Sequence, residues 1–287
     1  MNLSVIIPCF NAADTITFQL EALRKQNWSE PWEVIVSDNG STDKSVVIVK
    51  QYRERMPNLR VVDSSERRGA AHARNVGVRF ANANALAFVD ADDEVAPGWL
   101  AAMGEALSKH DFVVGRKEKE KLNEPWVIKS YQGEESEGII KSLYLPFAGS
   151  SNLGIKRSLH DAISGFDEAM QAAEDMDYCW RAQEAGTKLH YLPDALVHFR
   201  LRNTLTGMYH RAWREGMYEI LVYKKHRHLG MPQILTWKTL VKASIKLPLQ
   251  LVLLQVRNKE SLGKWLRHFG WRGGNFQGCI KNRYLPL

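Results

Sequence analysis

The chain has 287 residues, of which 45% are hydrophobic and 25% charged, as is ordinary for a soluble globular protein of one large or two modest domains. No apolar stretch reaches the roughly 18–20 residues of a spanning helix, and "MNLSVIIPCF" lacks the basic region and cleavage site of a signal peptide. The three cysteines have no metal-type spacing, which favours a reducing, cytoplasmic location.

The net charge of +7 is unevenly distributed along the chain. Residues 1–198 hold 22 Lys and Arg against 29 Asp and Glu, a balance of −7. Residues 199–287 hold 17 Lys and Arg against 3 Asp and Glu, a balance of +14. This break predicts two units, and the basic one is suited to nucleic acid, anionic lipid or an acidic partner.

The first 115 residues alternate between strand-like apolar runs and segments with helical spacing. We predict strands over 3–10, 32–38, 59–64 and 85–90, and helices over 13–26, 40–55, 69–83 and 97–110. Asp14 and either Ser41 or Thr42 are the expected caps of the first two helices. Such alternation predicts an α/β fold with a parallel sheet, whose ligands bind at the carboxyl ends of the strands.

A run of acidic residues follows the apolar run "ALAFV" of the fourth predicted strand directly: Asp90, Asp92, Asp93 and Glu94. Like charges this close together need a positive partner. Oxygen ligands suit Mg²⁺ or Mn²⁺, which also bind substrate phosphates. The alternative is a solvated acidic turn that caps the next helix, with Pro97 in its first turn. An Asp-x-Asp alone does not decide between these interpretations.

The motifs around the acidic run narrow the choice. Neither a Gly-x-Gly-x-x-Gly nor a Walker-type loop follows the first strand, so the common dinucleotide and phosphate-loop signatures are missing. Instead the chain contains, in order, "VIIPCFNA", "VIVSDNGSTD", "RRGAAHARNVG", "FVDADD", "GSSNLGIKR", "GFDEAMQAAEDMDYCWRAQEAG" and "LVHFRLR". Over about residues 3–200 this ordered set resembles the family 2 glycosyltransferases, which have the GT-A fold.

The resemblance implies a nucleotide site at the ends of the first two strands. Pro8, Phe10 and Asn11 would lie along the base, and the pair Asp38–Asn39 would receive the base and ribose. The family usually has two acidic residues at that pair, whereas Asn39 is an amide that offers both a donor and an acceptor to a base edge. The identity of the base therefore stays open among uridine, thymidine and guanosine.

The resemblance also implies a metal and diphosphate site. Asp90 and Asp92 would hold the metal against the diphosphate of a nucleotide sugar, with His198 as a third ligand. A structural role for His198 at a strand end is the alternative. Arg68 and Arg74 would neutralise the diphosphate, although an ion pair between Arg74 and an aspartate of the fourth strand explains that arginine equally well.

An acidic pair, Glu174–Asp175, opens a predicted helix that ends near Gly186. The helix dipole would keep a carboxylate ionised there, and simple capping is the alternative interpretation. The resemblance implies that Asp175 is the general base, with Glu174 the lesser candidate, in one displacement with inversion at the anomeric carbon. It also implies that the segment from Gly149 to Asn152 approaches the donor sugar.

The C-terminal unit lies outside these motifs. One helix is predicted over 206–230, and Lys238, Lys242 and Lys246 then repeat on one helical face before Pro248, which is expected to kink or restart the helix. Lysines beside Leu, Val and Trp favour an interfacial helix on anionic lipid, and a helical cap on the catalytic domain is the alternative. Nucleic acid is disfavoured because no motif of a known reader occurs.

The sequence therefore predicts a metal-dependent, inverting glycosyltransferase with a GT-A catalytic domain over 1–200 and a basic helical region over 201–287. The expected location is cytoplasmic, with peripheral attachment to the inner face of the membrane. The expected donor is a sugar linked to UDP, dTDP or GDP, and the expected acceptor is a glycan or lipid-linked envelope glycan. A nucleotidyltransferase and a degenerate sugar-nucleotide-binding scaffold are the alternatives. The chain lacks the glycine-rich basic loop that is the signature of a nucleotidyltransferase. The presence of Asp90, Asp92, Glu174 and Asp175 together argues against a degenerate scaffold.

Overall fold

The computed structural model describes residues 2–131, 138–233 and 235–285, apart from the side chains at 240, 243 and 244. Within them, eight strands form one mixed sheet in the order β3-β2-β1-β4-β7-β6-β8-β5. The strands are β1 Leu3–Cys9, β2 Trp32–Asp38, β3 Leu59–Asp63, β4 Ala85–Val89, β5 Glu94–Val95, β6 Phe112–Glu118, β7 Asn152–Lys156 and β8 His190–His198. The helices are α1 Ile16–Arg24, α2 Ser45–Tyr52, α3 Ala70–Phe80, α4 Trp99–Lys109, α5 Pro125–Ser130, α6 Arg157–Ala162, α7 Glu174–Glu184, α8 Leu205–His226, α9 Trp237–Val252 and α10 Lys259–Lys281.

The four strands predicted in the first 115 residues are all confirmed, and they run parallel to one another. Their apolar runs are continuous because both faces of the sheet are covered. Val5 and Ile7 of β1 pack in a core with α1 and α4, whereas Ile6 points to the opposite face and packs in a core with α3 and α7. The sheet therefore separates two buried layers and brings the carboxyl ends of β1, β2 and β4 to one edge.

The other half of the sheet is mixed, so the expectation of a parallel sheet holds only in part. β7 runs antiparallel to both β4 and β6, and β5 runs antiparallel to β8. β6 runs toward the ligand edge and ends at Glu118, and β7 begins at Asn152 and runs back across the sheet in the opposite direction. The described end of the connection reaches the same edge, because the carbonyl oxygen of Gly149 accepts a hydrogen bond from Lys117 of β6.

The caps predicted for the first two helices are wrong. The N-cap positions of α1 and α2 are Thr15 and Lys44, and neither side chain caps its helix. Ser41 instead accepts a hydrogen bond at its Oγ from the backbone N–H of Asn11, and the backbone N–H of Thr42 donates to the Asn11 carboxamide at 2.8 Å. Residues that look like caps in the sequence thus join two loops at the ligand edge.

The C-terminal region is helical, as predicted. α8 and α10 pack closely because glycines of α10 face α8, and a Cβ on Gly274 would lie 2.0 Å from the carbonyl oxygen of Trp213. α8 also joins the catalytic domain, since Tyr218 and Val222 form a core with Trp180 of α7. α9 continues through Pro248 without a restart.

Two further expectations concern the whole chain. Among the described residues, no helix is both long enough and apolar enough to cross a bilayer. Cys9, Cys179 and Cys279 are buried free thiols, which agrees with their expected role as small core residues.

Candidate active site

Three carboxylates meet at the end of β4. One oxygen from each of Asp90, Asp92 and Asp93 lies within 4.8 Å of the others. Asp93 is buried, and although its Oδ1 accepts a hydrogen bond from the backbone N–H of Arg200 at 2.8 Å, its Oδ2 has no partner. Burial, and then the charges of Asp92 and Asp90, raise the pKa of Asp93 well above its usual range. The charge of Lys117 opposes this shift only in part, and Asp93 Oδ2 itself has no hydrogen-bond partner.

Arg74 of α3 connects this cluster to the acidic pair of α7. Its buried guanidinium donates from Nη2 to Asp90 Oδ1 at 2.7 Å and from Nη1 to Glu174 Oε1 at 3.1 Å. Although burial lowers the pKa of Arg74, the charges of Asp90 and Glu174 raise it overall. The predicted ion pair with an aspartate after the fourth strand is therefore confirmed, and it fixes where the two acidic groups lie relative to each other.

The acidic pair opens α7, as predicted. Asp175 lies in the first turn, where its Oδ1 accepts the backbone N–H of Met176 at 2.8 Å. Burial, and then the charge of Glu174, raise the pKa of Asp175 to about 6, against the opposing influence of Lys117 and Arg74. The helix dipole therefore does not dominate this carboxyl, which instead titrates close to neutral pH, the range that suits a general base.

Lys117, near the end of β6, also belongs to the candidate active site. It was not among the residues predicted from the sequence. Its Nζ donates to the carbonyl oxygen of Gly149 at 3.2 Å. A Cβ on Gly149 would lie 2.7 Å from that Nζ and 3.4 Å from Asp175 Oδ2, so the glycine leaves room for both groups. Burial lowers the pKa of Lys117, and the charges of Asp93 and Asp175 oppose this. The signal was available: "FVVGRK" is a buried strand whose end carries a lysine.

The predicted nucleotide-binding residues come together at the ends of β1 and β2. Phe10 is half exposed, and the guanidinium carbon of Arg68 lies 4.2 Å from the centre of its ring. Arg68 is held by a hydrogen bond from Nη1 to the Asn39 carbonyl oxygen at 2.5 Å. Asp38 accepts the backbone N–H of Ser41 at 3.2 Å. A cationic and aromatic surface is therefore open at the sheet edge, next to the partly buried Pro8.

The side chain of Asn39 does not lie where a base could be read. It is buried, its Nδ2 donates to the carbonyl oxygens of Ser64 at 2.6 Å and Arg67 at 2.8 Å, and its Oδ1 accepts the Gly69 N–H at 2.8 Å. Both amide donors are thus used by the loop after β3. The expectation that Asn39 offers a donor to the base is corrected, because the loop that carries Arg68 needs those hydrogen bonds.

Asn152 is likewise a structural residue. It is fully buried at the start of β7, its Nδ2 donates to the carbonyl oxygens of Arg116 and Ala195 at 2.8 Å each, and its Oδ1 accepts the indole N–H of Trp99 at 2.8 Å. The expected contact of Asn152 with the donor sugar is corrected for this reason. Gly149 lies beside Lys117 and Asp175, and its contact with the donor sugar stays a prediction.

His198 lies at the end of β8, opposite Glu94 of β5 and Glu118 of β6. It is outside the group of three carboxylates, and its Nδ1 forms a hydrogen bond with Glu118. A carboxylate on one ring nitrogen is also the usual environment of a metal-binding histidine, whose other nitrogen binds the metal. The role of His198 as a third ligand therefore stays a prediction.

The basic C-terminal region also contributes to the centre, which sequence reasoning missed. Arg211 of α8 donates from Nε to Glu215 at 2.7 Å. Although burial lowers the pKa of Arg211, the charge of Glu215, with a smaller contribution from Asp175, raises it overall. Arg202, just before α8, lies 3.7 Å from Asp92. Positive groups from beyond residue 200 thus face the acidic groups of the sheet edge.

Comparison with known sequences is consistent with this geometry. The family model described as glycosyl transferase family 2 matches residues 4–164. The uncharacterized glycosyltransferase YibD of Escherichia coli (strain K12) is 46% identical over 95 residues, which are 33% of this chain and 27% of that protein. Glycosyltransferase AglE of Haloferax volcanii is 28% identical over 197 residues, which are 67% of this chain and 65% of that protein. The chain spans less than two thirds of the length of each of these relatives.

Solved structures are similar over nearly the whole chain. The mannosyltransferase PcManGT of Pyrobaculum calidifontis, in complex with GDP-Man and Mn²⁺, has a TM-score of 0.69 at 21% identity and covers 98% of this chain and 87% of its own. TarS 1–349 of Staphylococcus aureus, in complex with UDP-GlcNAc, has a TM-score of 0.58 at 19% identity, and the match covers 99% of this chain and 93% of the TarS chain. These similarities establish the fold, which is that of the GT-A glycosyltransferases, as predicted.

Proposed function

The chain belongs to glycosyl transferase family 2, and from that premise we propose that it transfers a sugar from a nucleoside-diphosphate sugar to an acceptor hydroxyl. One observation carries the proposal. The buried Arg74 holds Asp90 of the carboxylate cluster and Glu174 beside Asp175 on a single guanidinium. A site for a leaving diphosphate and a site for a base are thereby kept next to each other, which a sugar transfer by direct displacement requires.

The nucleotide part of the donor fits the surface formed by Phe10 and Arg68. An exposed aromatic ring under a guanidinium offers a base one flat face, and the adjacent Asp38, whose carboxylate is held by the backbone N–H of Ser41, is the predicted partner of the ribose. GDP-Man in PcManGT and UDP-GlcNAc in TarS show the class of donor that relatives of this fold hold. We therefore keep uridine, guanosine and thymidine diphosphate sugars as the candidate donors.

The three aspartates fit a divalent cation. Their donors are all oxygen, Asp93 has a buried oxygen without a partner, and burial followed by the Asp90 charge raises the pKa of Asp92. Asp90, Asp92 and Asp93 would hold Mn²⁺ or Mg²⁺, with the second ring nitrogen of His198 as the predicted further ligand. Such an ion, when bound, neutralises the negative charge that develops on a leaving diphosphate.

The chain's own groups carry out the proton transfer. Asp175 accepts the proton of the acceptor hydroxyl while that oxygen bonds to the anomeric carbon and the bond from this carbon to the diphosphate oxygen breaks. One displacement of this kind inverts the anomeric configuration. Lys117 stabilises the ionised form of Asp175 at the start, because its positive charge lowers the carboxyl pKa. Arg74 keeps Glu174 paired, so that Asp175 is the member of the acidic pair that accepts the proton.

Attachment to an anionic membrane surface is the second part of the proposal, and α9 supports it. Its outward face exposes apolar side chains at helical spacing: Trp237, Val241, Ile245, Leu249 and Val252. Exposed Lys238, Lys242 and Lys246 run beside this apolar stripe. The opposite side is anchored, because Leu247 is buried and its carbonyl oxygen accepts the indole N–H of Trp265 at 2.9 Å. An apolar stripe flanked by lysines and facing away from the protein suits the headgroup region of an anionic bilayer.

Thermal unfolding and calorimetry with UDP, GDP and dTDP, and with UDP-GlcNAc, UDP-glucose and GDP-mannose, test the catalytic proposal directly. One nucleotide should raise the unfolding temperature, and it should do so more strongly with Mn²⁺ than with EDTA, because ligand binding to the folded state stabilises it by mass action. If none of these compounds binds in the presence of Mn²⁺, the proposal is wrong.

A further inference from the structure

A cavity of about 300 Å³ opens beside the first turns of α7. Met176 and Trp180 form its α7 side, the loop residues Leu143 and Phe147 lie opposite, and Glu219 enters from α8. Met176 directly follows Asp175, so the cavity lies around the helix from the proposed base. Its volume is at the lower end of the range for small-molecule sites, which corresponds to one ring rather than an extended chain.

The face of α8 connects the cavity to the catalytic centre. Arg211, Glu215 and Glu219 are spaced four residues apart and therefore share one face of the helix. Arg211 is the member that interacts with Asp175, and Glu219 is the member in the cavity wall. Eight residues of α-helix span about 12 Å. A molecule that extends along this face would reach from the cavity to the base.

The walls of the cavity are aromatic and held in place. Tyr144 and Phe147 meet the indole ring of Trp180 edge-on, with ring centres 5.2 and 6.2 Å apart. The Trp180 indole N–H donates to the carbonyl oxygen of Leu145 at 2.7 Å. Trp180 is only 1% exposed and holds its neighbours in place, so Tyr144 and Phe147, which are partly exposed, are the rings that can cover the C–H face of a sugar with little ordering cost.

Glu219 is the carboxylate among these aromatic and apolar walls. It accepts hydrogen bonds from Asn275 Nδ2 at 3.1 Å and from the Trp271 side chain, and a carboxylate has acceptor capacity beyond these two. Burial raises the pKa of Glu219 to about 6, so the carboxylate is largely ionised at neutral pH. An ionised carboxylate accepts hydrogen bonds from hydroxyl groups and repels a phosphate or a uronate.

We propose that this cavity is an acceptor subsite that binds one uncharged sugar ring, with Glu219 accepting hydrogen bonds from its hydroxyls and the aromatic walls covering its C–H face. The role of the cavity as an acceptor subsite rests on the proposed sugar transfer. Its ability to bind a neutral sugar ring does not. It assigns the acceptor to the neutral glycosides, with the attacking hydroxyl on the side of α8 that carries Arg211.

Saturation-transfer NMR tests the subsite without any catalysis. The probes are the methyl β-glycosides of glucose, galactose, mannose and N-acetylglucosamine, with methyl β-glucuronide as the charged counterpart. At least one neutral glycoside should bind at pH 7.5 and the glucuronide should bind at least tenfold more weakly. Glu219→Gln should weaken the neutral glycoside about fivefold and bring the glucuronide close to it, because charged hydrogen bonds are about twice as strong as neutral ones.

A second variant keeps the test decisive if Glu219→Gln does not fold. Leu143 is 78% exposed at the cavity mouth, so Leu143→Trp fills the entrance without disturbing a core, and it should abolish glycoside binding. Leu251→Trp makes the same change at an exposed position of α9 outside the cavity and should leave binding unchanged. No glycoside signal in the wild type, a signal unaffected by Leu143→Trp, or a preference for the glucuronide would overturn the subsite. Nucleotide binding, measured in parallel, reports separately on the proposed function.

Discussion

Arg74 and Asp90 form a buried ion pair at 2.7 Å, and the same guanidinium reaches Glu174 at 3.1 Å. Breaking a buried pair is costly because it leaves the partner charge uncompensated. Arg74→Met should therefore lower the free energy of unfolding by about 3 kcal/mol or more, as measured by urea denaturation. Mn²⁺ should restore part of this loss, because a cation at the cluster replaces the missing charge beside Asp90. A loss that Mn²⁺ does not reduce would contradict the proposed metal site.

Asp92→Asn should remove most of the metal dependence of nucleotide binding. Asp92 supplies one of three clustered carboxylates, and its replacement by an amide removes a charge that the cation requires. Calorimetry with UDP or GDP should show affinity with Mn²⁺ reduced by at least about tenfold, which corresponds to 1.4 kcal/mol, with little change in EDTA. Glu94→Gln is the matched control, because Glu94 pairs with the exposed Lys121 outside the cluster. Equal effects in the two variants would show that only the general charge matters.

The acid limb of the activity should report on Asp175. The base must be ionised, and its pKa of about 6 places the fall of kcat/KM below pH 6, tenfold per pH unit, rather than near pH 4 for an ordinary aspartate. Lys117→Met should move this limb about 1 unit to higher pH, because removal of a nearby positive charge raises the pKa of the carboxyl. Asp175→Asn should lower kcat by at least about a hundredfold. If the acid limb of kcat/KM lies at the same pH in Lys117→Met as in the wild type, the charge of Lys117 does not influence the base.

The residues at the strand ends were predictable because each strand can be recognised from its own apolar run. Buried strands appear as continuous apolar runs, and parallel strands bring their carboxyl ends to one edge, so Asn11, Asp38 and Asp90 were expected close together. The same rule predicts that Lys117 lies at this edge, because it follows the apolar start of β6. It was missed because the lysine stands in a run of mixed charges, "RKEKEK", that suggests a solvated segment.

Contacts between distant segments were not predictable. Whether an amide faces a ligand or the protein depends on which backbone groups need partners, and for Asn152 those groups belong to Arg116 and Ala195. α10 lies in the region predicted to be helical but was not predicted as a separate helix, since its contact with α8 is made by glycines that carry no apolar signal. Arg211 reaches the centre only because α8 folds back against α7.

Asn39→Asp should weaken nucleotide binding without changing which base is preferred. A carboxylate in place of the amide would face the carbonyl oxygens of Ser64 and Arg67 with no proton to donate, so the loop that carries Arg68 would lose two hydrogen bonds. The free energy of unfolding should fall by about 2 kcal/mol or more. Calorimetry with UDP, dTDP and GDP should show the three affinities reduced together. A changed order among the bases would instead return Asn39 to the base pocket.

The exposed face of α9 should bring the protein to anionic membranes in a salt-dependent way. Each basic residue near an anionic surface strengthens attachment by roughly fivefold, and this effect is screened beyond a Debye length, so Lys238, Lys242 and Lys246 should give reversible binding that high salt weakens steeply. Co-sedimentation with vesicles containing phosphatidylglycerol should show binding at low salt that neutral phosphatidylcholine vesicles do not. Replacing all three lysines by Glu should abolish it. Lys44→Glu, Lys50→Glu and Lys109→Glu together make the same charge change on the catalytic domain and should leave most of the binding intact. Equal loss in both triple variants would mean that overall charge, not the α9 face, attracts the protein to the vesicles.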